Sequence, residues 1–262
     1  MMTSTPHHRN IARVLEQAFA AQDALNSRIN TDWKAQGYDF YRAAWTEVGE
    51  AVQHMNWIWW RSGTYKTRES EEQLSDIHVE LCDIFHFGIS MDLVGAYIAM
   101  QKTMSPMDVY YAHTMGIYQL FFAAADDRPA PRESFYEYVE QVVVSAITKK
   151  IFDIEAFSLA CSAVGLSSTK LFVLYFGKSV LNRFRQDHGY NLPKDDPKKY
   201  KKMWTISEGD KPVEDNVYMV QVVKTLLKLN SEEAVLVSLA SGEFAEMMYA
   251  RLGVQYAKQA AA

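Results

Sequence analysis

The sequence predicts an all-α protein, a bundle of long helices, and three observations lead there. Glycine and proline are sparse, at 12 and 7 of 262 residues. Apolar residues make up 48% of the chain and aromatic residues 13%, enough to fill a large core. Apolar positions also recur at three- and four-residue spacing over long stretches with few turn signals between them. The chain reads as a single domain over residues 1–262, with the chemistry carried by 10–100 and 167–216 and a helical scaffold inserted at 107–165.

The balance of 27 basic and 32 acidic residues leaves a formal charge of −5, which speaks against a general nucleic-acid surface. Two cysteines, Cys82 and Cys161, are too few for a disulfide framework and read as reduced thiols. No basic-then-apolar leader opens the chain, and no charge-free apolar run reaches about 18 residues. A cytoplasmic protein is expected, with neither a nucleic acid nor a membrane as partner.

Taken in order, residues 1–9 are polar and are expected to be flexible. A helix is signalled from Asn10, where Ile11, Val14, Leu15, Ala18, Leu25 and Ile29 recur at helical spacing. Gln22 falls on that apolar stripe and Asn26 lies one turn further. A buried amide without a partner costs about 1–3 kcal/mol. The two side chains therefore need either an internal hydrogen bond to backbone or a planar ligand whose edge alternates donor and acceptor, such as a pyrimidine base. Thr31 to Phe40, with Gly37, reads as a connection.

Two acidic patterns dominate the next stretch. Glu47-Val48-Gly49-Glu50 falls in a helix expected over Tyr41–Asn56, and Glu80-Leu81-Cys82-Asp83 in one expected from Leu74 towards Met100. Carboxylates three residues apart share a helix face. Four of them in apolar, aromatic surroundings repel one another unless a cation or a donor network offsets the charge. A solvated acidic face is the plainer alternative. The all-oxygen ligand set points to a hard divalent ion, magnesium, completed by water and substrate phosphate. His54 and Phe87 fall on the same faces, four residues beyond Glu50 and Asp83. The tryptophans of Trp57-Ile58-Trp59-Trp60 read as core packing or as a stacking wall, and the charged run Thr64 to Gln73 as a loop. Ile77, Leu81, Ile84, Phe85 and Gly88 form the packing stripe of the second acidic helix.

Met107 to Ala125 is helical and very apolar, and Asp126-Asp127-Arg128-Pro129-Ala130-Pro131 breaks it. Helices over Ser134–Phe152 and Ile154–Val164 follow, ending near Gly165, and are assigned to scaffold or subunit contact. Ser167 or Ser168 caps a helix that runs to Asp187, with Gly189 as its terminator. On it Lys178, Asn182 and Arg185 stand at i, i+4 and i+7, a cationic, amide-bearing face suited to a polyphosphate. Beyond Tyr190 the text turns rich in proline and lysine, with Lys194, Lys198, Lys199, Lys201 and Lys202. It is a solvated loop or a lid that orders over phosphates. Helical text resumes at Val217, Asn230 with Glu233 resembles a capping box, and the last helix frays into alanines.

The combination Gln22-x-x-Leu25-Asn26, Glu47-x-x-Glu50 with Trp57-x-x-Trp60, and Glu80-x-x-Asp83-Ile84-Phe85-His86-Phe87 resembles the dimeric, all-α dUTPases. These belong to the helical nucleoside-triphosphate pyrophosphohydrolases. Tyr175-Phe176-Gly177-Lys178-Ser179-Val180-Leu181-Asn182-Arg183-Phe184-Arg185-Gln186 with Gly189-Tyr190, and Tyr200-Lys201-Lys202-Met203-Trp204 with Glu214-Asp215-Asn216, resemble the same dimeric dUTPases. The matches keep the family's order from residue 22 to residue 216.

The resemblance implies a homodimeric, magnesium-dependent enzyme that cleaves dUTP, and often dUDP, to dUMP with release of pyrophosphate or phosphate. It implies that Glu47, Glu50, Glu80 and Asp83 hold the metal, Glu47 activating the water that attacks the β-phosphorus. Lys178, Arg185, Lys201 and Lys202 are implied as phosphate ligands, and Gln22 and Asn26 as readers of the base. Trp60, Phe87, Asn182, Tyr190 and Asn216 are implied to complete the base and sugar pocket. The chain departs from the family at Asn191 to Lys199, which is longer and richer in proline, at Ala51-Val52-Gln53, and at Arg61. These departures keep a second substrate in view, dCTP or another deoxynucleoside triphosphate. Two other classes stand beside it. A ferritin-like di-metal protein would use Asp83-x-x-His86 but lacks a second acid-x-x-His, and a non-catalytic helical binding module leaves Lys178 and Arg185 without a role.

Overall fold

The computed structural model describes residues 6–60, 68–103, 107–207 and 211–261. Among them are ten α-helices and one two-stranded hairpin, so the chain is all-α. It divides into two compact units, Met1–Leu171 and Phe172–Ala262.

The first unit is built from α1 (Pro6–Ile29), α2 (Phe40–Gln53), α3 (Glu71–Thr103), α4 (Met107–Asp127), α5 (Phe135–Lys149) and α6 (Ile154–Ala163). Helix α1 starts four residues before the expected Asn10, at a proline, which the first turn tolerates because its missing N–H has no helical acceptor there. Helix α3 also starts earlier than expected. Ser70 N–H donates to Gln73 Oε1 at 3.0 Å and Gln73 N–H to Ser70 Oγ at 3.1 Å, a reciprocal capping box that converts the end of the expected loop into helix. The part of that expected loop at 64–67 lies outside the described residues, as does Arg61.

Helix α2 packs along α3, and α1, α4 and α6 pack on α3 as well. The predicted stripe is the core: Ile77, Leu81, Ile84 and Phe85 are fully buried. Around Phe85 the rings of Tyr118, Phe122 and Phe157 close in, Phe157 stacking on it at 5.7 Å. A Cβ at Gly88 would lie 2.5 Å from the ring of Phe152, so the absence of a side chain there admits that ring against α3. This is why α5 stops short of the expected Phe152: Lys150 turns into the left-handed region at φ 59°, and Phe152 leaves the helix to join the aromatic core. By length and composition alone α3 is apolar enough to cross a membrane. Its apolar side chains instead form the core of this unit, and it carries Glu80, Asp83 and Asp92 along its length.

Asp92 of α3 is raised far from its ordinary range. Burial lifts its carboxyl from 3.8 to about 7, against the lowering effect of the Tyr118 hydroxyl that donates to it. A carboxyl whose pKa is raised in the fold favours the folded state fully below about pH 4, and that contribution is lost as pH climbs to about 7. Asp92→Asn keeps an acceptor for Tyr118 without the charge. Its stability advantage over the parent in urea unfolding is expected to grow from nothing near pH 4 to about 2–4 kcal/mol at pH 8, then level off. An advantage independent of pH would contradict this account.

The second unit takes most of α7 (Ser168–Asp187), then β1 (Met203–Trp204), β2 (Val213–Glu214), α8 (Asp215–Leu229), α9 (Glu232–Ser241) and α10 (Glu243–Ala261). At the start of α7, the Ser168 N–H and hydroxyl donate to Asp126, and Lys170 N–H donates to Ser167 Oγ at 3.4 Å. Asp126 was expected in a break and stands instead in the last turn of α4. Gly189 ends the segment at φ +86°, where a Cβ would meet Lys198 O at 2.6 Å. The hairpin pairs Met203 with Glu214 and Trp204 with Val213. Phe184, Tyr200, Trp204 and Tyr256 pack as one aromatic cluster beneath it, with Tyr200 stacked on Tyr256 at 5.2 Å. One expected cap is corrected: Asn230 donates back to Leu226 O and closes α8, and it is Ser231 that accepts from Ala234 N–H to start α9.

Candidate active site

Glu47 of the first acidic pair meets both acids of the second because α2 lies along α3. Glu47, Glu80 and Asp83 bring carboxylate oxygens within 4.8 Å of one another, all three partly exposed. Glu50, the fourth predicted ligand, is exposed and does not join that cluster. His54 ends α2 and stands 3.7 Å from both Asp76 and Glu80, so one imidazole faces two acids of α3. The donor set fits a hard divalent ion: three carboxylates, no neutral ligand, and enough exposure to keep water on the metal. A cavity of about 1290 Å³ in the same unit, lined by Trp57, Trp59, His78, Arg132 and Tyr136 among others, includes none of these carboxylates.

The two amides of α1 are part of a closed side-chain circuit. His86 Nδ1 lies 2.7 Å from Gln22 Oε1, Gln22 Nε2 donates to Asn26 Oδ1 at 3.1 Å, and Asn26 Nδ2 donates to Ser90 Oγ at 3.0 Å. Ser90 Oγ donates in turn to the His86 carbonyl at 2.9 Å. Side chains of both α1 and α3 are thus among the partners of these two amides. Spacing along α1 points to Gln22 and Asn26, but nothing in it points to His86 and Ser90, which are 64 residues away. Asn26 retains one amide N–H and one carbonyl lone pair beyond its two bonds. Of the aromatic candidates, Phe87 is partly buried on α3, while Trp60 is 59% exposed, edge-on to both Trp57 and Trp59. The tryptophan run is thus not core packing throughout.

In the second unit, Lys178 and Arg185 of α7 are both buried, at 6% exposure. The Arg185 fork is filled by Asp215, Nε to Oδ2 at 2.9 Å and Nη2 to Oδ1 at 2.5 Å. Nη1 donates to Asn182 Oδ1 and Nη2 also to Asn216 Oδ1. Tyr200 donates its hydroxyl to Asp215 Oδ2 at 2.8 Å. Burial alone would lower the guanidinium's pKa, but Asp215 outweighs it and the net shift is upward. Burial first, then the Asp215 charge, push the Tyr200 phenol up as well. The ring of Tyr190 lies 5.9 Å from Arg185, 5.3 Å from Lys199 and 5.4 Å from Lys202, a cluster of cations about one phenol. Lys201 is exposed and Lys202 half-buried, both beside β1, and the Asp215 N–H donates to Lys202 O at 2.8 Å. The hairpin sets Lys202 beside Asp215 and Asn216, which meet Arg185 of α7. Lys199 donates to Tyr190 O and Leu192 O, tying the proline-rich segment back on itself.

No match is found among curated proteins. The family model described as dUTPase matches residues 14–190, more than half of the chain, and that span holds the carboxylate cluster, the amide circuit and all of α7. With an all-α fold and three carboxylates converging from two packed helices, the chain belongs to the all-α dUTPase family, enzymes that hydrolyse dUTP.

Proposed function

We propose that this protein is a magnesium-dependent dUTP diphosphatase that also accepts dUDP, works as a homodimer in the cytoplasm, and releases dUMP with pyrophosphate or phosphate. The observation that carries the reading is the convergence of Glu47, Glu80 and Asp83 in a chain of the dUTPase family. These three would hold the ion, with Glu50 reaching it through water. Once bound, the ion supplies positive charge against the phosphate oxygens as the leaving phosphate departs.

Glu47 takes the proton of the attacking water, whose oxygen bonds to the β-phosphorus. The bond from that phosphorus to the oxygen bridging to the α-phosphate breaks, and dUMP departs with the bridging oxygen. The same step on dUDP yields phosphate. Lys178, Lys201 and Lys202 meet the phosphate charge. Arg185 contributes less of it, since Asp215, Asn182 and Asn216 occupy four of its five N–H groups and its charge is offset. Asn26, oriented by Gln22 and Ser90, offers one donor and one acceptor side by side, the complement of the imide edge of uracil. Trp60, Phe87 and Tyr190 pack on base and sugar. Exposed Val144 and Ile147, at i and i+3 on α5, present an apolar patch that a second copy would cover. The two buried thiols suit a reducing compartment.

The test is a panel of dUTP, dUDP, dCTP, dTTP and UTP with magnesium, resolving nucleoside monophosphate, pyrophosphate and phosphate, on protein whose mass in solution has been measured. Dimeric protein that turns over dUTP and dUDP but spares dCTP and UTP is the expected result. Preference for dCTP would overturn the base reading, and a monomer active at the same rate would remove the dimer from it.

A further inference from the structure

We propose that Cys82, Asp83 and His86 form a second metal site, for a borderline transition ion of the zinc type, which competes with the carboxylate cluster for Asp83. A sulfur, a carboxylate oxygen and an imidazole nitrogen from these residues lie within 4.8 Å of one another. All three come from one turn of α3, Cys82 and His86 four apart and Asp83 three before the histidine. The ligand set differs in kind from its neighbour. Thiolate and imidazole select zinc over magnesium by softness, and three protein ligands with a fourth open position are a common zinc arrangement.

The imidazole is already oriented for this. Gln22 donates its amide N–H to Asn26, so its Oε1 acts as acceptor and His86 Nδ1 as donor. That tautomer puts the ring's lone pair on Nε2, and a second ring nitrogen hydrogen-bonded to a carbonyl is the usual support of a metal-bound histidine. Cys82 is 1% exposed and His86 5%, so the site admits a small ion and excludes bulky thiol reagents. Asp83 belongs to both groups of ligands. An ion held by Cys82 and His86 draws on a carboxylate that Glu47 and Glu80 need, so zinc occupancy opposes magnesium occupancy. The inhibitory consequence rests on the function proposed above, whereas the binding itself does not.

The test uses the full chain with cobalt(II) as a spectroscopic probe, and zinc in a dUTP assay at saturating magnesium. One equivalent of cobalt should produce a thiolate-to-metal charge-transfer band in the near ultraviolet. The band should persist in Cys161→Ala and vanish in Cys82→Ala and in the closer isostere Cys82→Ser, each checked for unchanged helical circular dichroism. Zinc should inhibit the parent, and loss of the thiolate should raise the zinc concentration required by at least about tenfold. No thiolate band in the parent, or a band that follows Cys161, would overturn the site. A Cys82-dependent band with no zinc inhibition of an active enzyme would overturn the competition. A Cys82-dependent band in a protein that never hydrolyses dUTP would support the site and refute the function proposed above.

Discussion

Glu80→Gln is expected to lower kcat for dUTP by about 10²–10³-fold, the scale on which a single preorganised charge-stabilising group acts. The substitution preserves shape and removes one negative charge from the centre of the cluster, where Glu80 adjoins Glu47 and Asp83 and faces His54 at 3.7 Å. Like charges that close destabilise the fold when no cation is present. The variant should therefore unfold at the same temperature as the parent, or slightly higher, in magnesium-free buffer. That combination separates a ligand from a structural residue. A fall in activity accompanied by a fall in melting temperature would point to Glu80 as a packing or hydrogen-bonding residue. Undiminished turnover would remove the carboxylate cluster from the chemistry.

Asp215→Asn should carry the largest cost in stability, about 3–5 kcal/mol. The Asp215 side chain is wholly buried and that of Arg185 is 7% exposed, so neither charge is well solvated. The neutral amide leaves the guanidinium buried without its counter-charge, which costs more than the net worth of the pair. Tyr200→Phe, which removes only a hydrogen bond to the charged acceptor, should cost less, about 1.5–3 kcal/mol. Urea unfolding followed by circular dichroism measures both. If Asp215→Asn falls within about 1 kcal/mol of the parent, the fork is not what holds this part of the second unit together. A double replacement of Arg185 and Asp215 by apolar residues of similar volume should recover much of the loss while leaving dUTP binding impaired.

The sequence by itself determined the fold class and most of the helices, because both depend on short-range periodicity. Ile77, Leu81, Ile84 and Phe85 recur at the spacing of one helix face whatever they later meet. The same rule carried the acidic pairs, since three-residue spacing places Glu80 above Asp83 in any helix. It stopped at element ends, where a single side chain decides. Ser70 with Gln73 lengthened α3 against its charged text, Lys150 cut α5 short, and Ser231 displaced Asn230 as a cap by one residue. Only the tertiary structure decided which groups meet across long separations. Glu47 reaches Glu80 and Asp83 because α2 lies on α3, while Glu50, three residues on, stays outside. Gln22 and Asn26 look like a bare amide pair in the sequence, yet His86 and Ser90 fix both. Arg185 reads as an available cation, yet Asp215, 30 residues later, holds it. A helix face is set by local geometry, but which partner arrives at that face is set by packing, and a charge is defined chemically only once its partner is known.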